Sequence, residues 1–563
     1  MTLEHRSVVS VLIFPPNPYA TTPHRVLLFR RSDKVRTYRG KLAPIAGSIE
    51  ASDASPLSAA WRELKEETGL GAEDIELWRR GPGFEFVDET AVSAGGSGKE
   101  GNDENRGRTW KVWPFAFRLK RELELEVPKV GQPRPDEPTT SRTTQVSIDW
   151  EHTGYEWRTI DEILGNGKGE GKETAKLIVD DCVPRLEVTL GQVWVSPDSA
   201  LHQGLERLRL DHSNGARQLA TMAVETLVEL ITDLDTQADT LDQVRVHGPE
   251  AWWRDFRLQA FHLAFNARPS MAAAISKSVA TALSRVGDVT DLDPEFPGKV
   301  RLALKSYLQQ RNELSKRVGV AFSAVLKERY KTCEQEETKW IKILTLSSSS
   351  TIKAAVICAL EDNPLLHLEI RVLESRPLFE GVSFAEFLTD AAATQGESGA
   401  ETQGFRNRLR VVIGTDCSVG ILSQDIDLLI LGADRISEAG DVSNKTGSLP
   451  AALTSKHITQ GKCRVICISE TDKIAPPGSL DEHGEEDNDP SEVSKAWNLQ
   501  GREMNQTDSS KKDSVHVSNV YFEWVPAGLI DYYVCEDGVL PVAEIARQSQ
   551  EMAVLIDQVF SDL

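Results

Sequence analysis

The sequence predicts an α/β protein with several domains, because of its length and two patterns of apolar residues. The chain has 563 residues, well beyond the roughly 100–200 residues of an ordinary domain. Near the N-terminus, residues 7–14 and 25–30 are short runs rich in β-branched and apolar side chains, as strands require. After residue 336, apolar runs alternate with helical segments, a pattern typical of a parallel, doubly wound sheet.

Changes in the pattern of polar and apolar residues divide the chain into regions. The first region continues with predicted strands at 110–118 and 146–157, a short helix at 159–165, and polar insertions at 94–108 and 128–143. The predicted domains are a first α/β domain (1–180), a linker (181–202), a helical part (203–335) and a parallel-sheet domain (336–563) with a disordered insertion (475–514).

Composition excludes several classes of function. The formal net charge is -22, which argues against direct nucleic-acid binding because a phosphate backbone would be repelled. No run of about 18 apolar residues is present, so no membrane span is expected. The 7 cysteines include no CxxC pair, as expected of reduced thiols. We therefore expect a cytoplasmic protein.

Three glutamates form the first candidate site. Glu63, Glu66 and Glu67 have the spacing i, i+3 and i+4, which places them on one face of a helix. Ala59, Ala60 and Leu64 supply the apolar side of that helix. Clustered carboxylates repel one another unless a cation lies between them, and Mg²⁺ prefers such oxygen ligands. The alternative is an ordinary solvated helix, since glutamate-rich helices are common.

Residues around these glutamates resemble the Nudix box of hydrolases that cleave nucleoside diphosphates linked to another group. Gly47 matches its glycine, and Arg62–Leu70 (RELKEETGL) matches its remaining pattern, including Gly69. The resemblance, over roughly residues 5–175, implies an α/β/α sandwich with a mixed sheet. It also implies Mg²⁺, or alternatively Mn²⁺, and a nucleoside diphosphate derivative as substrate.

The same resemblance assigns roles to individual residues. Glu66 and Glu67 are implied metal ligands, Glu63 an auxiliary ligand or base, and Arg62 an ion-pair anchor. The upstream glutamate of the family falls on Ala54 here, with Asp53 one residue earlier and Glu50 three before that, as if one residue were inserted in the loop. Three tryptophans close in sequence either stack on a base or, as we favour, belong to the core: Trp61, Trp110 and Trp113.

The second candidate site collects polar residues that follow predicted strands. Ser347 and Ser348 begin a Ser-rich turn, where backbone N–H groups and hydroxyls suit a phosphate. Arg376 follows a second strand, while Asp434, Asn444 and Lys445 follow a third. Ligands of open α/β sheets bind beyond the carboxyl ends of the strands. Each motif alone is more often an ordinary loop or ion pair, so their joint occurrence carries the prediction.

Residues from about 195 onwards resemble the family of methylthioribose-1-phosphate isomerase, ribose-1,5-bisphosphate isomerase and the alpha, beta and delta subunits of initiation factor 2B. The motifs are 265–274 (FNARPSMAAA), the SRPLFEG loop, GADRI with GDVSNKTGS, and 519–540. The resemblance implies a Rossmann-like domain, a homodimer formed by this module, and a sugar phosphate bound by Arg268, Arg376, Asn444 and Lys445.

The isomerases of that family move protons with a cysteine and an aspartate. The aspartate maps onto Asp434, but the cysteine position holds Ser347. A serine hydroxyl is a far weaker acid than a thiol, whose reference pKa is near 8.5. Cys417 follows a different strand and is interpreted as a small packing residue.

Three functions remain open at this stage. The first is a Mg²⁺-dependent Nudix hydrolase fused to a module that binds a sugar phosphate. The second is a dimerising regulator that senses a metabolite or acts in translation initiation, with an ancillary Nudix domain. The third is an active aldose–ketose sugar-phosphate isomerase.

Overall fold

The structure, a computed structural model, describes most of the chain and divides it into two compact units. The described residues are 4–88, 108–123, 146–165, 180–212, 214–235, 248–286, 296–329, 340–393, 405–478, 480, 488–497 and 517–563. The first unit consists of Met1–Arg207, Glu250–Ala267 and Val559–Leu563, and the second of Leu208–Pro249 and Arg268–Gln558. The insertion at 128–143 and nearly all of that at 94–108 lie outside the described residues.

The strands and helices are labelled in chain order. The strands are β1 (Glu4–Phe14), β2 (Arg25–Arg31), β3 (Leu42–Ala43), β4 (Ile45–Ser48), β5 (Ile75–Arg80), β6 (Phe84–Asp88), β7 (Arg108–Leu119), β8 (His152–Thr159), β9 (Trp340–Leu346), β10 (His367–Leu373), β11 (Leu409–Gly414), β12 (Leu428–Leu431), β13 (Arg435–Ile436), β14 (Val442–Lys445), β15 (Arg464–Ile468), β16 (Phe522–Val525), β17 (Tyr532–Cys535) and β18 (Gly538–Leu540). The helices are α1 (Pro56–Thr68), α2 (Ile160–Leu164), α3 (Leu186–Gly191), α4 (Ala200–Leu210), α5 (Ala216–Asp235), α6 (Pro249–Asn266), α7 (Ala272–Ser284), α8 (Phe296–Arg311), α9 (Leu314–Arg329), α10 (Ser350–Asp362), α11 (Glu380–Ala393), α12 (Val419–Leu422), α13 (Ser448–Ile458), α14 (Pro490–Ser494) and α15 (Val542–Phe560). None of the described helices is long and apolar enough to cross a membrane.

The first unit is built on a mixed sheet with helices on both faces. Strand β1 is central, since it pairs parallel with β7 and antiparallel with β2 and β4. Its alternate residues point to opposite faces. Val9 and Val11 pack with residues of α1 on one face, whereas Leu12 and Phe14 pack with residues of α2 and α3 on the other. The predicted α/β/α sandwich is therefore confirmed.

Two segments of the first unit differ from the predicted domain plan. The predicted linker, 181–202, folds onto the sheet because Leu186, Leu190 and Val193 form a helical stripe that is buried in the core. Helix α6 was predicted with the helical part, yet its contacts group it with the first unit. The Asn266 side chain at its end bonds to both the amide and the carbonyl of Arg80, at 2.8 Å each.

The second unit contains the predicted helices and a seven-stranded sheet. The strand order is β11-β10-β9-β12-β15-β17-β18, and every neighbouring pair is parallel except β17 with β18. The chain leaves β9 towards β10 and later returns to β12 on the other side of β9. The point between β9 and β12 is a topological switch, where a crevice opens at the carboxyl ends of the strands.

Described parts of the predicted disordered insertion, 475–514, are folded. Ala475 is buried, and its carbonyl accepts a 2.6 Å hydrogen bond from the Ser549 hydroxyl. Helix α14 begins at a cap from Asp489, and the Asn519 amide donates to the Glu492 carboxylate at 2.8 Å. The prediction was wrong for these residues because side chains beyond the insertion supply their contacts. The remainder lies outside the described residues.

A fully buried arginine joins the helices of the second unit. Arg311, at the end of α8, lies 2.6 Å from the Asp472 carboxylate. Its guanidinium also donates to the Ser278 hydroxyl at 2.7 Å and the Thr221 hydroxyl at 3.1 Å. The side chain therefore connects α5, α7 and α8 to the turn after β15.

Replacing this guanidinium tests its contribution to stability. Arg311→Met should lower the free energy of unfolding by about 3–5 kcal/mol, because Asp472 would stay buried without its partner. Urea unfolding measures the change. Lys305→Met, at an exposed position of the same helix, should stay within about 0.5 kcal/mol of the wild type. Equal unfolding midpoints for both variants would contradict this role for Arg311.

Candidate functional site

Local sequence signals position the first site on helix α1. Ser55 caps the helix by accepting a hydrogen bond from the Ser58 amide, while the Ser58 hydroxyl accepts one from the Ser55 amide. Pro56 has the first-turn backbone geometry without needing a hydrogen bond. The helix ends at Gly69, whose φ of 71° lies in the left-handed region.

Arg62 connects the helix to the preceding strand and loop. Its guanidinium bonds to both oxygens of Asp53, at 3.1 and 2.9 Å, and to the Ser48 carbonyl at 2.9 Å. On the helix it reaches Glu63 at 2.8 Å and Glu66 at 3.3 Å. The hydrogen bonds from Arg62 lower the pKa of Asp53. Asp53 thus supplies the carboxylate that faces this arginine.

Gly47 lies directly against one of the candidate carboxylates. A Cβ atom on Gly47 would come within 1.8 Å of the Glu63 carboxyl carbon. No side chain fits there unless Glu63 moves away. The glycine therefore leaves the space that this carboxylate occupies beside strand β4.

A second group of polar residues, Asp149, Glu151 and His152, lies beside α1. Burial raises the pKa of Glu67 to about 9, with further contributions from Glu151, Glu63 and Asp149. His152 lies with its Nε2 atom 3.5 Å from Glu67 and its Nδ1 atom 3.4 Å from Asp149. Sequence reasoning missed this group, although two carboxylates and a histidine within four residues were a visible signal.

These carboxylates also affect one another through their charges. Burial raises the pKa of Glu63, and Glu66 and Glu151 add to the rise while Arg62 opposes it. Burial and Asp149 raise the pKa of Glu151. Among the described residues, no group of three or more His, Cys, Asp or Glu side chains already has the arrangement of a metal site. The donors nevertheless fit a hard divalent cation, since they are clustered oxygens with unfavourable mutual repulsion.

A cavity of about 240 Å³ lies in the first unit, with Gly47 and Ser48 of β4 and Leu186 and Thr189 of α3 in its wall. Trp110 lines this cavity, as do Phe84 and Phe86. The other two candidate tryptophans belong to the core, since Trp61 and Trp113 pack against its buried residues. The prediction that these tryptophans belong to the core therefore holds for Trp61 and Trp113.

The second site lies at the switch point of the parallel sheet. Ser347 and Ser348 directly follow β9, and Asp434 follows β12. The Ser347 hydroxyl donates to the Glu380 carboxylate at 3.2 Å, and the Lys445 ammonium lies 3.1 Å from the other oxygen of Glu380. Glu380 therefore brings the serine and the lysine together. Glu380 belongs to the SRPLFEG loop, where no sequence pattern indicated this role.

Asp434 is buried among charged groups. Burial raises its pKa, while Lys473, Lys445 and Arg268 oppose the rise. Lys473, in the turn after β15, is a further cation that the sequence analysis missed. Its position after the end of a parallel strand was the available signal. The site thus combines a buried carboxylate with several cations.

Other predicted contact residues already bond to groups of the protein in this structure. The Arg376 guanidinium donates to the Val493 carbonyl at 3.0 Å, and the Asn444 amide donates to the Ser448 hydroxyl at 2.9 Å. The Arg268 guanidinium bonds to the Asp211 carbonyl and lies 3.3 Å from His212. Cys417, predicted as a packing residue, is exposed, because it lies in a short turn after the edge strand β11.

Each half of the chain matches the model of a known protein family. Residues 212–542 match the family model of the initiation factor 2 subunit family, which is more than half of the chain. The chain belongs to the initiation factor 2 subunit family. Residues 4–178 match the family model of the NUDIX domain. The two resemblances described above are therefore confirmed.

Curated relatives of this family member are bacterial isomerases. Methylthioribose-1-phosphate isomerase of Xanthomonas euvesicatoria pv. vesicatoria is 31% identical over 122 residues, which cover 22% of this chain and 31% of that protein. The same enzyme of Alcanivorax borkumensis is 29% identical over 161 residues, or 28% of this chain and 43% of that protein. The matched segment thus spans about a third of the length of the first relatives.

Two solved structures can also be aligned with part of this chain. The translation initiation factor eIF-2B of Pyrococcus horikoshii has a TM-score of 0.41 and 17% identity, covering 60% of this chain and 96% of that chain. The beta subunit of eIF2B from Chaetomium thermophilum has a TM-score of 0.40 and 13% identity, covering 64% of this chain and 93% of that chain.

The Arg62 contacts lead to a prediction about the loop before α1. Arg62→Lys keeps the charge but removes the fork that bonds to Asp53 and Ser48 together. Amides of residues 48–55 should exchange with deuterium at least about threefold faster, because the loop loses its anchor. Arg25→Lys, at a guanidinium 5.5 Å from the Trp157 ring, should leave exchange in that loop unchanged. Unaltered exchange in Arg62→Lys would refute the anchoring role.

Proposed function

We propose that the first domain is a divalent-cation-dependent hydrolase of nucleoside diphosphates linked to another group. The observation that carries this proposal is the cluster of carboxylates on α1 and before β8, in which burial and mutual repulsion raise the pKa values of Glu63, Glu67 and Glu151. Such a cluster is stabilised by a cation. Mg²⁺ is the expected ion, with Mn²⁺ as the alternative.

The chain's own residues have distinct tasks in this proposal. Glu66 and Glu67 would hold the cation, with Glu63 as a further ligand or as the base that accepts a proton from water at its Oε atoms. When bound, the cation supplies positive charge that neutralises the diphosphate oxygens. Arg31 borders the cavity and interacts electrostatically with Glu67 and Glu151. Its guanidinium is therefore suited to orienting the diphosphate beside the carboxylates.

Neutralising single carboxylates tests this assignment. Glu66→Gln and Glu67→Gln should each lower hydrolysis by at least about tenfold, because an amide binds Mg²⁺ poorly. Release of phosphate-containing products from a panel of nucleoside diphosphate derivatives measures the rate. Circular dichroism should show an intact fold, since removing one charge relieves repulsion.

Glu187→Gln serves as the matched control, because Glu187 is exposed on α3 and outside the carboxylate cluster. It should hydrolyse the substrate at the wild-type rate. If both Glu66→Gln and Glu67→Gln keep full activity on a substrate that the wild type cleaves, the assignment of these residues is wrong.

We propose further that the second module binds a phosphorylated sugar at the switch point and isomerises it very slowly or not at all. The cations Lys445, Lys473 and Arg268 around Asp434 support phosphate binding. The likeness to methylthioribose-1-phosphate isomerases supports a pentose phosphate. Ser347 stands where the isomerases use a cysteine, and its weak acidity supports loss of proton transfer.

The other hypotheses make different predictions for the same pocket. A dimerising regulator would bind the ligand without turnover and form a homodimer through this module, which sedimentation measures. An active isomerase would convert the ligand with Asp434 as acid or base. Binding without turnover is the outcome that we expect.

A serine-to-cysteine exchange separates binding from catalysis. Ser347→Cys should bind ribose phosphate or methylthioribose phosphate with an affinity within about threefold of the wild-type value, as measured by calorimetry. It should also form a small, detectable amount of ketose. The reason is that a thiol gives up its proton far more readily than a hydroxyl. Adding Asp434→Asn to Ser347→Cys should abolish this ketose formation.

Ser306→Cys, at an exposed position of α8, is the control for an added thiol and should form no ketose. Brisk ketose formation by the wild type would overturn the proposal that this pocket lacks isomerase chemistry. Failure of wild type and variant alike to bind any sugar phosphate would overturn the binding proposal.

A further inference from the structure

The cavity between β4 and the aromatic residues of β6 and β7 has two chemically different ends. At one end, Gly47 and Ser48 belong to strand β4, which leads into α1, and the Arg31 guanidinium borders the same space. At the other end lie the aromatic rings of Phe84, Phe86 and Trp110. A ligand with a charged part and a flat aromatic part matches this division.

One wall of the cavity comes from residues outside the matched Nudix region of 4–178. Val183, Arg185 and Leu186 line it, together with Pro184 and Thr189. This wall is attached to the edge of the mixed sheet. The Val183 amide donates to the Leu42 carbonyl at 2.8 Å, next to a parallel bridge between Leu42 and Cys182.

A charged clamp holds the same wall in place. The Arg30 guanidinium bonds to both carboxylate oxygens of Asp181, at 3.1 and 3.0 Å. It also reaches Glu156 on β8 at 2.8 Å. Burial of Leu186 and Leu190 beneath the sheet fixes the following helix. The wall is therefore part of the folded unit.

Arg185 has an unusual position at the start of α3. Its φ of 67° lies in the left-handed region, which residues other than glycine seldom adopt. Its guanidinium carbon lies 5.9 Å from the centre of the Phe86 ring. The side chain is exposed and lines the cavity beside that ring. Residues with such backbone conformations cluster at functional sites.

We propose that this cavity binds the base of the nucleoside diphosphate derivative, and that Arg185 selects a base with hydrogen-bond acceptors, guanine above adenine. The inference rests on the proposed hydrolase function and names its substrate class. The base stacks on the aromatic rings, which is favourable for any flat base. Arg185 carries only donors, so it complements the two acceptors of guanine, whereas adenine offers one acceptor beside an amino group.

The two ends of the cavity determine the orientation of the ligand, with its base at the aromatic end and its diphosphate at the charged end. With the base stacked on Phe86 and its acceptor edge turned towards Arg185, the diphosphate would extend past Arg31 towards Gly47 and the carboxylates of α1. The group joined to the diphosphate then projects away from the aromatic end. Selection of the base and cleavage of the diphosphate thus depend on different residues.

Calorimetry with guanosine diphosphate, adenosine diphosphate and ribose phosphate tests the base pocket without requiring hydrolysis. The wild type should bind guanosine diphosphate about tenfold more tightly than adenosine diphosphate, and ribose phosphate more weakly than both at this site. Arg185→Ala should remove most of the preference for guanine. Phe86→Leu keeps an apolar side chain without a ring face, and it should weaken both nucleotides about tenfold or more.

Steady-state hydrolysis gives a second readout. Arg185→Ala should raise KM for the guanine derivative about tenfold with kcat within about twofold, because the base does not react. Arg25→Ala, which removes a guanidinium stacked on Trp157 away from the cavity, is the matched control and should change neither constant.

The outcomes separate this inference from the function on which it rests. Tight, Arg185-dependent binding of guanosine diphosphate without hydrolysis of any derivative would support the base pocket and overturn the hydrolase proposal. If both Arg185→Ala and Phe86→Leu hydrolyse the substrate with the wild-type KM and the wild-type base preference, the base pocket is wrong, but the hydrolase proposal stands. Equal affinity of the wild type for guanine and adenine nucleotides would overturn the selective role of Arg185.

Discussion

The guanidinium of Arg62 is the contact on which the first candidate site depends. It joins a carbonyl of strand β4, the loop carboxylate of Asp53 and the helix carboxylates of Glu63 and Glu66. A helix with several acidic residues on one face would otherwise repel the acidic loop before it. One arginine with five donors satisfies these groups together, so the strand, the loop and the helix keep a fixed relation.

In the first site a guanidinium holds several carboxylates, whereas in the second site a carboxylate holds a hydroxyl and an ammonium group. Glu380 accepts from Ser347 and pairs with Lys445, while the cations Lys473 and Arg268 act on the buried Asp434. A phosphate group would therefore meet cations already held in position. It would also compete with Glu380 for Lys445. Such competition favours a ligand that makes further contacts, as a sugar does with its hydroxyl groups.

The strands, the helical part and the position of the glutamates on one helix could be predicted from the sequence. They follow from local periodicity and from spacing within one helix. Residues whose positions depend on distant partners could not be predicted in this way. The segment around the start of β8, with Glu151 and His152, approaches α1 only through the sheet, and Lys473 reaches Asp434 only through parallel pairing of β12 with β15. The linker prediction at 181–202 failed similarly, since a short apolar stripe became a helix only against the core.

The two proposed activities are chemically compatible within one chain. Cleavage of a nucleoside diphosphate joined to a sugar leaves a phosphate on the sugar, which is the class of ligand that the second pocket is proposed to take. In that pocket the cations serve recognition, whereas proton transfer needs an acid near the sugar carbons. A serine at position 347 preserves a hydrogen-bond donor of similar size but gives up the acidity of a thiol. Under the proposed function, a serine at this position would therefore lower turnover more than affinity.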